Sequence, residues 1–192
     1  MMGMWVFLAT EILFFGGMFL GYTVYRTAYP VVFGEASRQL DVTLGTINTA
    51  VLLCSSLTMA MGVHEAQMGN RRMLAWFLLI TMALGIVFLG IKFYEYYQKY
   101  DEHLIPGAHF LWIGPDPGHA SMFFLFYFIM TGMHALHMII GVGLMLVLLI
   151  LTRRGTFSAE YYTPVELGGL YWHFVDIVWV FLFPLLYLVE RS

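Results

Sequence analysis

Charge is missing from most of this chain, and where it is missing decides what the chain can become. Residues 120–152 contain no Asp, Glu, Lys or Arg, and neither do residues 42–63 or 73–91. Residues 2–25 contain a single such residue, Glu11, and residues 167–189 a single one, Asp176. A helix that crosses a bilayer needs roughly 20 mainly apolar residues. The pattern therefore predicts an all-α integral membrane bundle of five transmembrane helices in one domain over residues 1–192. The spans fall at about 2–26, 42–66, 72–96, 119–152 and 165–189, the fourth long enough to tilt or to project from the lipid. Charged residues make up 11% of the chain and hydrophobic ones 60%, where a soluble domain carries about 25% charged residues. That is too little polar material to coat a globule in water. It excludes an ordinary soluble enzyme, a disordered chain and a nucleic-acid binder, which would need a basic surface. The net charge of −3 points to no charged partner, and Cys54, the sole cysteine, excludes a disulfide framework or a CxxC metal site.

The connections are polar. Residues 27–41 and 97–118 are the longer ones, and the second holds three of the six prolines and reads as an irregular loop. Residues 67–71 and 153–164 are short. The first span has no basic leader and is too long for a signal peptide. Five spans put the termini on opposite sides. The short turns share a side with the N-terminus and carry Arg71, Arg72, Arg153 and Arg154, whereas Arg26, Arg38, Lys92, Lys99 and Arg191 fall on the other. The tight clustering of the four arginines places the N-terminus in the cytoplasm and the C-terminus outside.

Ionisable side chains at membrane depth are costly and so mark candidate functional positions. Glu11 lies about 14 Å into the first span at 1.5 Å per residue, near mid-bilayer. It is either a neutral acid bonded to a neighbouring helix or a group that handles protons or meets lipid. His173 and Asp176, three residues apart on one helix face, read as a polar clasp within the bundle. His134 and His137 show the same spacing in the fourth span. His64 and Glu65 end the second span, and Lys92 and Glu95 end the third as an interfacial pair. Gly17 and Gly21, with Gly85, Gly141 and Gly143, read as close-packing sites between helices. His134 or His137 with His173 could in principle ligate a haem, but two histidines a turn apart are weak evidence for metal, and no di-iron, P-loop or CxxCH pattern is present. Transport would call for broken spans or a polar cavity, and the spans are nearly continuous.

Five stretches resemble one family. WVFLATEILFFGGMF (5–19), NTAVLLCSSLTMAMGVHEAQMGNRR (48–72), GIKFYEYYQ (90–98), TGMHALHMIIG (131–141) and ELGGLYWHFVDIVWVFLFPLLYL (166–188) look, in order, like the third to last helices of subunit III of the haem–copper respiratory oxidases. The resemblance covers all five spans and matches the short, five-helix bacterial type. Mitochondrial-type members carry two further helices in front, with lipids in the cleft between. The resemblance implies a non-catalytic subunit of a proton-pumping terminal oxidase in a bacterial plasma membrane. It would pack against subunit I, with subunit II in the same complex and a possible place in a respiratory supercomplex. Haem and copper would belong to those partners, with no metal in this chain, and phospholipid would bind. The family's carbodiimide-reactive acid falls on Glu11. His134, His137, Trp172, His173 and Asp176 fall on its recurring motifs and, with His64, Glu65 and Glu95, are read as interhelical polar positions. Arg71, Arg72, Arg153 and Arg154 are candidates to meet lipid headgroups. The electron donor, cytochrome c or quinol, is a matter for other subunits. The accessory membrane proteins of nitric oxide reductases are the competing relatives.

Overall fold

The computed structural model describes residues 2–107, 110–114 and 116–188. The described residues form six helices: α1 (Met2–Ala28), α2 (Pro30–Arg38), α3 (Val42–Gln67), α4 (Arg71–Asp101), α5 (Pro117–Arg153) and α6 (Thr163–Tyr187). All except α2 are long and apolar enough to cross a membrane. The last residue expected in the fifth span, Val189, and Arg191 beyond it lie outside the described residues. At 1.5 Å per residue the 37-residue α5 is about 55 Å long. That exceeds a hydrocarbon layer of about 30 Å, so α5 projects from the lipid, and α4, running to Asp101, goes beyond the expected boundary at 96.

The segment 27–41 departs from the expectation of a plain polar connection. Pro30 sits in the first turn of α2, where its missing N–H costs nothing. The helix then turns Val32, Phe33, Ala36 and Ser37 into the bundle. Phe33 packs on Tyr22 and Phe123 at ring separations of 5.5 Å each. Ser37 donates a 2.7 Å hydrogen bond to the Leu186 carbonyl, near the end of α6. Four apolar or small residues scattered among Glu35, Arg38 and Gln39 make too short a pattern to separate from a loop.

Side-chain caps start α3, α4 and α5. The Asp41 carboxylate accepts from the Thr43 and Leu44 amides at 2.8 and 3.2 Å. The Asn70 side chain accepts from the Met73 amide, and that of Asp116 from His119. The two short turns each use a glycine with positive φ, Gly69 at 74° and Gly155 at 79°, where an L-residue would be strained. Beside Gly155, Arg71 donates a 2.7 Å bond to the Phe157 carbonyl and ties the two turns together.

At the centre lies Trp172 of α6, fully buried. A Cβ on Gly85 of α4 would come within 2.8 Å of its ring, and one on Gly141 of α5 within 2.9 Å. Its Nε1–H donates to Ser55 Oγ of α3 at 2.9 Å. One side chain thus joins four helices. Gly85 and Gly141 are close-packing sites as expected, whereas among the described residues nothing lies within 4 Å of the Cβ positions of Gly17 and Gly143, and at Gly21 the nearest atom is Phe126 at 3.6 Å. By contrast, α1 buries only Leu8, Phe15 and Tyr22, spaced by seven, so it meets the bundle along one narrow seam.

Filling the Trp172 slot must displace the ring. Gly85→Ala and Gly141→Ala are each expected to destabilise the protein by about 1–3 kcal/mol, the usual cost of overpacking, measured by denaturant unfolding in detergent. Asp116 supplies a second test, outside the lipid. Its hydrogen bond from His119 holds the carboxyl below the usual carboxylate range. A carboxyl depressed in the folded state stabilises above its ordinary value and loses that contribution as pH falls through the folded one. The first turn of α5 should therefore exchange its amide hydrogens faster, relative to the intrinsic rate, in that acid window. Asp116→Asn should abolish the pH step.

Candidate functional site

Polar side chains inside the lipid layer must find partners within the protein, because no water is there to take them. They do so in three places. In the C-terminal part of α4, Lys92 and Glu95 are buried, at 2% and 0% side-chain exposure, and paired at 2.9 Å. Tyr187 of α6 donates to Glu95, and Lys92 Nζ lies 2.7 Å from the Tyr187 hydroxyl and 3.3 Å from that of Tyr127 on α5. The rings of Tyr96, Tyr127, Trp179 and Tyr187 surround the ammonium at 5.0–5.6 Å, close enough for cation–π attraction. The expected pair is thus enclosed by side chains of α5 and α6.

The second place is the α3–α6 seam. His173 Nδ1 meets Ser56 Oγ at 2.7 Å, Trp172 donates to Ser55, and Trp179 donates to Thr49 Oγ1 at 3.0 Å. Of the two forms the His173–Asp176 clasp could take, within the helix or across helices, His173 takes the second. Asp176 is buried and its carboxyl closes no hydrogen bond among the described residues. The third place joins α1 to α5: Glu11 Oε2 stands 3.1 Å from His137 Nε2, and His137 Nδ1 lies 2.8 Å from the Met133 carbonyl.

His134 and His137, though a turn apart, part company. His134 points into the core between Phe88 and Trp179, at ring separations of 5.4 and 5.3 Å, with both nitrogens unbonded. His137 turns to α1. No group of three or more His, Cys, Asp or Glu side chains that could hold a metal occurs among the described residues. On the opposite surface His64 is exposed, and Glu65 accepts from the Asn70 side chain at 2.8 Å. Arg72, Arg153 and Arg154 are exposed there, while Arg71 uses its Nε on the Phe157 carbonyl. Beside α1 runs a groove of about 590 Å³, lined from α1 by Trp5, Ile12 and Phe15 and from α6 by Phe174 and Phe181, with His173 its polar member. A second hollow, of about 480 Å³, shares Trp5 and His173 and reaches Glu166.

Ser55, Ser56, Thr49, Tyr127 and Tyr187 complete these seams and escape sequence reading. A hydroxyl is cheap enough in lipid to be common there, so only the carboxylates, the lysine and the histidines stand out.

These features define a multi-span helical membrane protein whose buried polar groups mostly join its own helices. The sequence profile described as cytochrome c oxidase subunit III matches residues 1–190. The chain is 34% identical over 191 residues to cytochrome c oxidase subunit 3 of Thermostichus vulcanus, covering 99% of this chain and 87% of that one. It is 30% identical over 190 residues to quinol oxidase subunit 3 of Bacillus spizizenii, covering 98% and 86%. Against cytochrome c oxidase subunit 3 of Loxodonta africana it is 34% identical over 193 residues, covering 96% and 67%. The chain belongs to the cytochrome c oxidase subunit III family, the third subunits of haem–copper oxidases.

Breaking the Lys92–Glu95 pair tests the enclosed network. Lys92→Met or Glu95→Leu alone strands a buried polar partner and should cost about 3–5 kcal/mol. Lys92→Met with Glu95→Leu should cost less than the sum, read from unfolding of the detergent-solubilised protein as a double-mutant cycle.

Proposed function

We propose that this chain supports the catalytic subunit of a haem–copper terminal oxidase from within the membrane and carries no catalytic group of its own. It packs against subunit I, with subunit II in the same complex, and the haems and copper reside in those partners. The observation that carries this reading is the family match across the whole length, joined to the use made of its most prominent residues. His137, Trp172 and His173 bond other helices or their own backbone. Support for assembly, for proton uptake and for the durability of the turning-over enzyme follows from that position. A place in a larger respiratory supercomplex is compatible with it.

The groove between α1 and α6 has the apolar lining that a phospholipid acyl chain needs. The exposed Arg72, Arg153 and Arg154 supply cations for a lipid phosphate at the surface of the two short turns. The same arginines favour the cytoplasm for that surface and for the N-terminus, in a bacterial plasma membrane. Identities of similar size to cytochrome c oxidase and quinol oxidase subunits support either electron donor.

A mild-detergent pull-down through this chain, with a visible redox spectrum before and after partners are stripped, tests the reading. Haem should arrive with larger subunits and leave with them; haem retained by the isolated chain would overturn it. In the same preparation His173→Ala should lower retention of the chain on detergent washing, because it leaves the Ser56 hydroxyl without its partner on α6. Unchanged stoichiometry would count against that.

A further inference from the structure

His173 uses one ring nitrogen within the protein and keeps the other free. Its Nδ1 meets Ser56 Oγ at 2.7 Å, and its Nε2 closes no hydrogen bond among the described residues. The ring lines both hollows beside α1, the groove of about 590 Å³ and the adjoining one of about 480 Å³. His173 follows Thr163 by ten residues and so stands about 15 Å along α6. That is halfway through a hydrocarbon layer of about 30 Å. A hydrogen-bonding nitrogen thus opens, at mid-bilayer depth, onto walls that are otherwise apolar. Small-molecule sites of about 300–1,000 Å³ have this composition, an apolar lining with a few placed polar groups. We propose that the α1–α6 groove binds a neutral lipid that has no charged head and carries a hydroxyl or carbonyl on a ring, with that oxygen on His173 Nε2. Isoprenoid quinones, their quinols and cyclic terpenoid alcohols share this chemistry.

Depth selects against a phospholipid at this point. Its acyl chain satisfies the apolar walls and leaves Nε2 unmet, while its polar atoms stay at the membrane surface, about 15 Å away by the same rise along α6. The Ser56 hydroxyl selects for a neutral oxygen, because it can either accept or donate. When His173 Nδ1 donates to Ser56, Nε2 is a bare acceptor and takes a ligand O–H. When Ser56 donates to Nδ1, Nε2 carries the hydrogen and takes a ligand carbonyl. Neither arrangement places a charge in the lipid layer, where charge is costly. The walls suit a ring. Phe15 and Phe174 pack edge to face at 6.4 Å and are buried, forming a fixed floor. Trp5, Ile12 and Phe181 are exposed and form the rim. Floor and rim each take side chains from both α1 and α6, so the ligand lies between the two helices with its apolar body along them.

The test is photolabelling of the intact complex in detergent with an azido-quinone, the adducts on this chain being mapped by mass spectrometry in samples matched for its content. Label is expected on residues of α1 and α6 that line the groove. Decylubiquinone, decylubiquinol and cholesterol serve as competitors, and the strongest of them identifies the source of the ligand as quinone, quinol or ring alcohol. Phosphatidylglycerol at the same concentration should leave the label in place. His173→Phe keeps the bulk of the ring and removes its nitrogens, and should weaken displacement by about three- to tenfold, the worth of one hydrogen bond. Ala9→Phe fills the groove from the exposed side of α1, leaves His173 and Ser56 untouched, and should abolish the label. Adducts only outside the groove, displacement by phosphatidylglycerol as effective as by the best competitor, or labelling and displacement unchanged in either variant would each overturn the proposal. Haem content and the electron donor enter none of these readings, so they fail independently of the subunit III reading.

Discussion

The indole of Trp172 is the contact on which the bundle depends. It reaches from α6 into a slot that exists only because α4 and α5 have no side chain at Gly85 and Gly141, and its N–H is tied to Ser55 of α3. In lipid the hydrophobic effect does not drive helices together, so close packing and internal hydrogen bonds must do it. A flat ring between two glycines supplies the first, and Nε1–H to Ser55 the second. The four helices α3 to α6 are aligned by that one insertion, and the two seams of polar contacts lie on either side of it.

Those seams share one logic. The polar groups in them join different helices, so satisfying the group and fixing the register are the same event. Tyr187, Tyr127 and Glu95 around Lys92 set α4, α5 and α6 against one another near the C-terminal end of α6. Ser56 with His173 and Thr49 with Trp179 set α3 against α6. The cost of an ion or a hydroxyl in lipid thereby becomes specificity, since a shift in register would leave each of them unpartnered. Asp176, Asn48 and His134 stand apart, for they are buried without a hydrogen bond among the described residues. α1 stands apart in another way, outside both seams and beside an open groove, which leaves its attachment to a thin apolar stripe and the Glu11–His137 contact.

Much of this was legible in the chain. The five spans follow from the gaps between charges, and their order, their approximate limits and the family follow from apolar runs and from motifs such as LYWHFVDIVW. Gly85 and Gly141 could be read as packing sites because a glycine in an apolar helix has few other uses. The partners could not be read. His173 and Asp176 lie a turn apart on one helix, and spacing leaves open whether they pair with each other or across helices; His173 bonds Ser56, far away in sequence. His134 and His137 look equivalent, yet one enters the core and the other meets α1. α2 was hidden because nine residues hold too few turns for a periodic signal.

What the sequence determined by itself was everything that depends on the solvent: length and apolarity of each span, the depth of Glu11 and Asp176, and the all-α class, since a chain in lipid must satisfy its backbone within each helix. What only the tertiary structure decided was which side chain faces which. Helices that are apolar around most of their surface carry little pattern to say which face turns inward, and inward and lipid-facing positions are equally greasy. The choice is made by shape and by the few polar groups, at Trp172 between two glycines, at Lys92 inside its ring of aromatics, and at His137 opposite Glu11, and it exists only once all the helices are in place.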